Sequence, residues 1–408
     1  MPPPARGSLE SSFRAEPDQI AFWCVEFALP HPLPHPLCGP AQRIEPDSEV
    51  RSVLAPGEHS VPVSSASVSS TPVSSTPVLW APLDPAPRRI ATHRGFSGAV
   101  VLQVRCRDRS GVATDWALRC TPSAKEDPVR TRSRAELLQC SFAAGVSQVA
   151  VPVRTVTGEW ALQDGAWSIR CEPWKPGQSD YAQRPTLARL TAAMETLARW
   201  HQVVRTHPPT ADWQPRTDRS PSLIARRDLL AGWNDHRLAA VEQSLRSQPA
   251  GPLPDVAIPI VQKVSRVRDR LWPDLVAAAA QTFPLQACWG DLWHDHLLFE
   301  GDRLTGLIDA EAARVDSPLI DLARLLSSLH PDEPAAWSTA LDVYTHSRAL
   351  SAGERQALPV FDRSGALLSA LTWLERLSRR AVSDDLQDRV TGRLSRLGER
   401  FERWLGES

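Results

Sequence analysis

The sequence predicts an α+β chain in two lobes, a small β-rich N-lobe and a larger helical C-lobe, preceded by a disordered leader. Three observations predict it. Pro, Ser and Thr dominate the chain up to residue 86; short alternating segments fill the next stretch to Gly177; and apolar residues recur with a helical period from Thr186 onward. The boundaries drawn are 1–86 for the leader, 87–177 for the N-lobe with its hinge and 178–408 for the C-lobe. At roughly 150 residues per domain, 408 residues hold two cores with some chain left over.

The leader carries Pro2–Pro4, a Pro-rich run from His31 to Pro40, and a near-repeat in which Val61-Pro-Val-Ser-Ser is echoed over Ser70–Val78. Such a segment cannot bury enough apolar surface to offset the entropy of ordering it. Strands are expected at Ala99–Val104, Thr114–Arg119, Trp160–Gln163 and Trp167–Cys171, separated by turn signals at Asp108–Gly111 and Asp164-Gly165. One helix, about Val129–Ala144, interrupts them. Leu187, Leu190, Met194, Leu197 and His201 share one helical face, and further helices are expected over about 222–247, 257–280, 319–329, 334–348, 364–381 and 384–405.

Charge excludes one class of partner. With 46 Lys+Arg against 47 Asp+Glu, the chain lacks the basic surplus that nucleic acid or an anionic membrane surface selects. Only Lys125, Lys175 and Lys263 are lysines, so nearly all positive charge is guanidinium. The seven Cys are scattered, odd in number and without a C-x-x-C pair, as expected of reduced core thiols in a cytoplasmic protein. The early apolar stretch Ile20–Pro30 contains Glu26 and lacks a signal-peptide pattern, and no run reaches a membrane span's length. The composition does not fix an oligomeric state.

The chemistry concentrates between Cys288 and Leu326. Asp291 is expected in a loop, Leu297–Phe299 forms a strand, Gly301-Asp302 turns the chain, and a second strand, Leu304–Ile308, delivers Asp309. Such a hairpin gathers Asp291, His296 and Asp309, with one carboxylate able to accept a proton and the other groups able to hold a divalent cation. The pair His294 and His296 has no third ligand at zinc-hydrolase spacing.

The stretch Trp289-Gly-Asp291, followed by His296, Ile308-Asp-Ala-Glu311 and Asp316-Ser-Pro-Leu-Ile-Asp-Leu-Ala323, resembles the catalytic segment of the aminoglycoside phosphotransferase and choline kinase-like family. The family pattern there is H-G-D-x-x-x-x-N, a hairpin, I-D-F-E, then G-D-P-x-x-D-L-A. The resemblance implies a protein kinase-like fold with Asp291 as catalytic base, His296 and Asp309 as metal ligands, and Asp321 as a structural anchor. Trp289 stands where the family has His, and His296 where it has Asn; an imidazole nitrogen is a poorer magnesium donor than an amide oxygen.

Upstream, Arg94-Gly-Phe-Ser-Gly98 is similar to the family's phosphate-covering hairpin, which assigns Gly95, Ser97 and Gly98 to the nucleotide. Trp116-Ala-Leu-Arg119 occupies the place of the V-A-I-K strand, so Arg119 takes the position of the phosphate-binding lysine, with Glu136 as its counterpart. Cys171–Gly177 resembles the hinge, where Glu172 and Trp174 meet the nucleotide, and Leu197–His201 resembles the family's L-A-x-L-H helix end. The implied activity is ATP-dependent phosphotransfer to a small hydroxylated or aminated metabolite or antibiotic, with ATP and Mg, Mn being possible. The alternative is a pseudokinase-like protein that binds a nucleotide or ligand without turnover. Trp213, Trp233, Trp272 and Trp337 are candidates for an aromatic cage around a quaternary amine.

Overall fold

Alternating apolar residues build the first sheet. The computed structural model describes residues 88–94, 99–107, 113–155, 157–379 and 384–406; the leader and the Gly95, Ser97 and Gly98 positions lie outside them. Strands β1 (Arg88–Arg94), β2 (Val100–Arg107), β3 (Ala113–Pro122), β4 (Leu162–Asp164) and β5 (Trp167–Pro173) form one antiparallel sheet in the order β1-β2-β3-β5-β4. Its core takes every second residue, Leu102, Val104 and Cys106 from β2, Trp116, Leu118 and Cys120 from β3, and Ile169 and Cys171 from β5. Arg119 falls between Leu118 and Cys120 and faces Arg170 across the ladder.

The chain divides into two units, one holding this sheet (the described residues up to Asp127, with Pro152–Trp174) and one holding Pro128–Val151 and everything from Lys175 onward. The sequence expectation of one N-lobe over 87–177 therefore differs for helix α1 (Pro128–Ala143), which groups with the helical unit. The reason is packing: Leu137 and Leu138 join the large core rather than the sheet's own.

In the helical unit, α2 (Leu187–Thr206) starts on Thr186, whose hydroxyl accepts the Arg189 amide. The single helix expected over 222–247 is two, α3 (Pro221–Ala231) and α4 (Asp235–Arg246). Gly232 closes the first, and the Asn234 side chain accepts the Arg237 amide to start the second. Helix α5 (Pro252–Ala280) begins earlier than expected because Pro252 suits a first helical turn. Strand β7 (Thr282–Cys288), which periodicity missed, is central between β6 (Arg216–Arg219) and β10 (Arg314–Asp316). The hairpin β8 (Leu297–Glu300) and β9 (Arg303–Leu307) matches the expected strand–turn–strand.

Helices α6 (Leu319–Leu329), α7 (Pro334–Ser347), α8 (Ala352–Arg379) and α9 (Asp384–Gly406) complete the unit. Helix α8 starts a full three turns before the expected 364. Its entry is a capping box, in which Ser351 Oγ accepts the Glu354 amide at 3.2 Å and Glu354 accepts the Ser351 amide at 2.9 Å. Leu275, Leu322, Leu326, Leu367, Leu371 and Leu394 interlock α5, α6, α8 and α9 in one core, each contributing about 1.5–3 kcal/mol by leaving water. Trp213 and Trp233 are buried in that core, and Trp272 and Trp337 pack against it, so these four indoles fill space and do not make a cage. The described cysteines are free thiols; Cys106, Cys120, Cys171 and Cys288 are buried. Among the described residues no helix is long and apolar enough to cross a membrane.

Candidate active site

The loop from Trp289 to His296 links β7 to the β8–β9 hairpin, and its shape is set from below by one buried carboxylate. Asp321, in the first turn of α6, accepts the backbone amides of Trp289 and Gly290, each at 2.6 Å, and the ring of His201 at 3.1 Å. His201 in turn contacts the Tyr344 hydroxyl at 2.8 Å. The anchor expected at Asp321 is thus built from three directions. Gly290 has φ 86, and a Cβ there would lie 2.2 Å from the Ala312 carbonyl oxygen, so only glycine lets the loop pass. Asp316 is a second buried carboxylate, accepting Ser220 Oγ at 2.6 Å, the Ser222 amide at 3.1 Å, the Ser222 hydroxyl and its neighbour Ser317's amide at 2.8 Å.

Trp289 ties the loop to the end of the β8–β9 hairpin. Its indole N–H donates to the Asp309 carbonyl at 2.9 Å, and its ring packs edge-on against Trp200. Asp309 needs that hold. Its φ of 64 places it in the left-handed region, which costs a non-glycine residue energy unless the surroundings fix it.

Asp291 stands at the loop's exposed rim, where its Oδ1 accepts Arg324 Nε at 2.9 Å. Burial pushes the carboxyl up, but the Arg324 guanidinium, assisted by His296 and Arg393, outweighs it and holds the group below the usual carboxylate range. Arg324 carried no sequence motif, yet it lies three residues after Asp321 on α6, the spacing that returns a helix to the same face.

His296 lies 3.8 Å from Asp309 across Nε2 and Oδ2. That nitrogen already accepts the Trp293 indole N–H at 2.8 Å. Indole nitrogen only donates, so the neutral ring carries its proton on Nδ1, which is buried without a hydrogen-bond partner among the described residues. Burial pushes the imidazole's pKa down, against the opposing pull of Asp309 and Asp291. Asp309 suits a divalent cation, since a carboxylate is the hard oxygen donor such an ion prefers. His296 does not suit one in this arrangement, because neither ring nitrogen offers a lone pair.

Among the described residues, one group of three potential ligands lies close together, His201, Cys288 and Asp321, with ligand atoms within 4.8 Å of one another. Its atoms are already engaged: His201 by Tyr344 and Asp321, and the Cys288 thiol, which burial pushes up, with the Asp316 carbonyl. It reads as an anchor of the loop.

The sheet unit holds Arg119 on β3 and Glu172 on β5, in register with Ala117. The Trp174 amide donates to the Asp115 carbonyl at 3.1 Å, so this hinge N–H is committed to the protein. On α1, Arg134 rather than Glu136 engages the loop after Asp309: its Nη1 donates to the Glu311 carbonyl at 2.6 Å and its Nη2 lies 3.2 Å from the Glu311 carboxylate.

Residues 94–359 match the phosphotransferase enzyme family. The homoserine kinase of Beijerinckia indica is 31% identical over 191 residues, 46% of this chain and 51% of that protein. The homoserine kinase of Rhodopseudomonas palustris is 28% identical over 200 residues, 48% and 53% of the two chains. The chain thus spans about half the length of these relatives. Among solved structures, an aminoglycoside phosphotransferase from Alicyclobacillus acidocaldarius superposes with a TM-score of 0.52 at 17% identity, over 78% of this chain and 91% of that one. A microcompartment-associated aminopropanol kinase gives 0.54 at 15% identity, over 78% and 93%. At such identities these two establish the fold alone.

Proposed function

The chain belongs to the phosphotransferase enzyme family, and on that premise we propose that it transfers the terminal phosphoryl group of ATP to the hydroxyl of a small hydroxylated or aminated metabolite. One observation carries the reading: the anchored loop with Asp291 and His296 meets Asp309 at the end of the β8–β9 hairpin, and Asp291 is ionised and fixed by Arg324. Phosphoryl transfer needs mainly positioning and charge neutralisation. Asp291 Oδ1 is taken by Arg324, leaving Oδ2 to accept the acceptor hydroxyl's hydrogen bond and then its proton. Asp309 would hold a divalent cation, Mg or Mn, whose chemistry is to neutralise charge on the nucleotide phosphates. Arg119, Glu172 and Trp174, with Gly95, Ser97 and Gly98, are the proposed nucleotide residues. That two relatives are homoserine kinases supports homoserine, a hydroxyl-bearing amino acid, as one candidate acceptor.

A second reading, a nucleotide- or ligand-binding protein without turnover, is favoured by the closed Trp293–His296 bond, which withholds a donor at the metal's position. A coupled assay of ADP release with Mg²⁺, Mn²⁺ and a panel of small alcohols and hydroxy acids separates them. Turnover is expected, and Asp291→Asn is expected to lower it by about 100-fold or more while ATP still binds. Nucleotide binding with no turnover on any acceptor would favour the second reading.

A further inference from the structure

Three buried arginines of the helical unit find acids. Arg400 bonds Asp332 and Asp362, Arg348 bonds Glu354, and Arg189 bonds Asp180. Half-buried Arg226 lacks an acid too, but its Nη1 donates both to the Phe361 carbonyl at 2.6 Å and to Ser364 Oγ at 3.0 Å. Arg393 on α9 departs from that pattern. It is half-buried, it makes a single hydrogen bond among the described residues, from Nη2 to Ser369 Oγ at 3.2 Å, and among those residues no acid lies within ion-pair distance.

Its surroundings make this costly. Arg324, Arg376 and Arg396 all act on it as like charges, and Asp291 is the one acid that opposes them appreciably; burial first, then these neighbours, push Arg393 down to about 10. Arg324 and Arg393 flank the same indole, their guanidinium carbons 5.8 and 5.7 Å from the Trp293 ring, and Arg393 also lies 6.0 Å from Trp373. Cation–π contact recovers part of the cost, but it does not neutralise charge. Asp291 already neutralises Arg324 through the 2.9 Å bond, so the Arg393 charge is left without an acid of its own, and it is left so beside the proposed base.

We infer that the acceptor is a small hydroxy acid whose carboxylate docks on Arg393 next to Trp293, setting its hydroxyl against Asp291. The inference rests on the phosphotransferase reading and deepens it by naming the substrate class. A guanidinium fork matches a carboxylate in plane and spacing, and a carboxylate supplies the charge lacking at Arg393. The surface would equally turn away the polycationic acceptors that a neutral or acidic wall would admit, because like charge in a partly desolvated place is strongly disfavoured.

The test uses pairs of compounds differing only in the carboxylate. L-homoserine is paired with 3-aminopropan-1-ol, L-serine with ethanolamine, and glycerate with ethylene glycol. Binding to the full chain is followed calorimetrically without nucleotide, and ADP release is followed with MgATP. The acid of at least one pair is expected to bind and react in preference to its partner by about 30-fold or more, the loss typical of a charge-assisted contact. Arg393→Gln is expected to collapse that ratio through KM rather than kcat, and Arg393→Lys, which keeps the charge, to restore part of it, both with a melting temperature near that of wild type. The inference is overturned if the acid shows no advantage in any pair, including the case where neither member binds, or if Arg393→Gln leaves the ratio intact. Failure of the phosphotransferase reading looks different: an acid binds in an Arg393-dependent way and no ADP appears.

Discussion

Trp293 decides what His296 can do. While the indole N–H occupies Nε2 at 2.8 Å, a cation held as proposed would owe its preference to the Asp309 oxygen, and magnesium should serve at least as well as manganese. Trp293→Phe keeps the ring and removes the donor, freeing an imidazole nitrogen that ranks manganese above magnesium. The Mn²⁺-to-Mg²⁺ activity ratio is therefore expected to rise several-fold in that variant, and an unchanged ratio would mean that His296 never reaches the ion. Acid acts on the same bond. A protonated ring cannot accept from Trp293, and because burial lowers the His296 pKa, activity should hold through neutral pH and fall only below the ordinary imidazole value of about 6.5. Asp291 stays ionised through that window, as its own pKa is held down by Arg324. An acid limb centred above pH 7 would contradict this assignment. Of these residues the motif exposed Asp291, His296 and Asp309, since their types and spacing are the signal. Arg324 and Arg393 were not legible, because each acts through a fold-made proximity that no local pattern encodes.

At the scale of elements, the site depends on how α6 grips the loop after β7. Asp321 accepts two backbone amides and the His201 ring at full burial, so Asp321→Ala leaves three buried groups unsatisfied. Each such group costs about 1–3 kcal/mol, and a loss of several kcal/mol is expected in urea unfolding, together with lost activity. Asp321→Asn, which keeps acceptor capacity on one atom, should lose less. The partner His201 predicts a pH dependence. Burial, opposed by Asp321, lowers its pKa in the folded chain, so the unfolded chain takes up a proton first as pH falls. Stability contributed by neutral His201 is then complete above about pH 6.5 and declines as pH drops below it; His201→Gln should flatten that slope between pH 7 and 5. Elements followed the sequence where a stop or start signal stood beside a period. Helix α6 and the β8–β9 hairpin lie as read. The start of α8 at its Ser351–Glu354 box and the break at Gly232–Asn234 were written in the sequence but masked by apolar periodicity running across them. Strand β7 had no alternation to read, because it is central in its sheet and buried at nearly every position from Leu285 to Cys288.

For the whole chain, composition leads to the expectation that folding and function lie in the residues after 86. Alternating Pro, Ser, Thr and Val over residues 1–86 offers few large apolar side chains, whereas the sheet and helical units each close around a core made of their own residues. Deleting residues 1–86 is expected to leave the melting temperature within about 2 °C of the full chain, by the size scaling of such shifts. The nucleotide should act on the shortened and full chains alike. A ligand that binds only the folded state at 100 times its Kd stabilises it by about 2.7 kcal/mol, and MgATP should raise the melting temperature of both forms equally, with the same shift in Asp291→Asn, since the role proposed for that residue is toward the acceptor. A shift present in the full chain and absent after deletion would assign the leader a part in nucleotide binding. No shift with any purine nucleotide and either Mg²⁺ or Mn²⁺ would remove the phosphotransferase reading and the nucleotide-binding alternative together, leaving the family's fold without its cofactor.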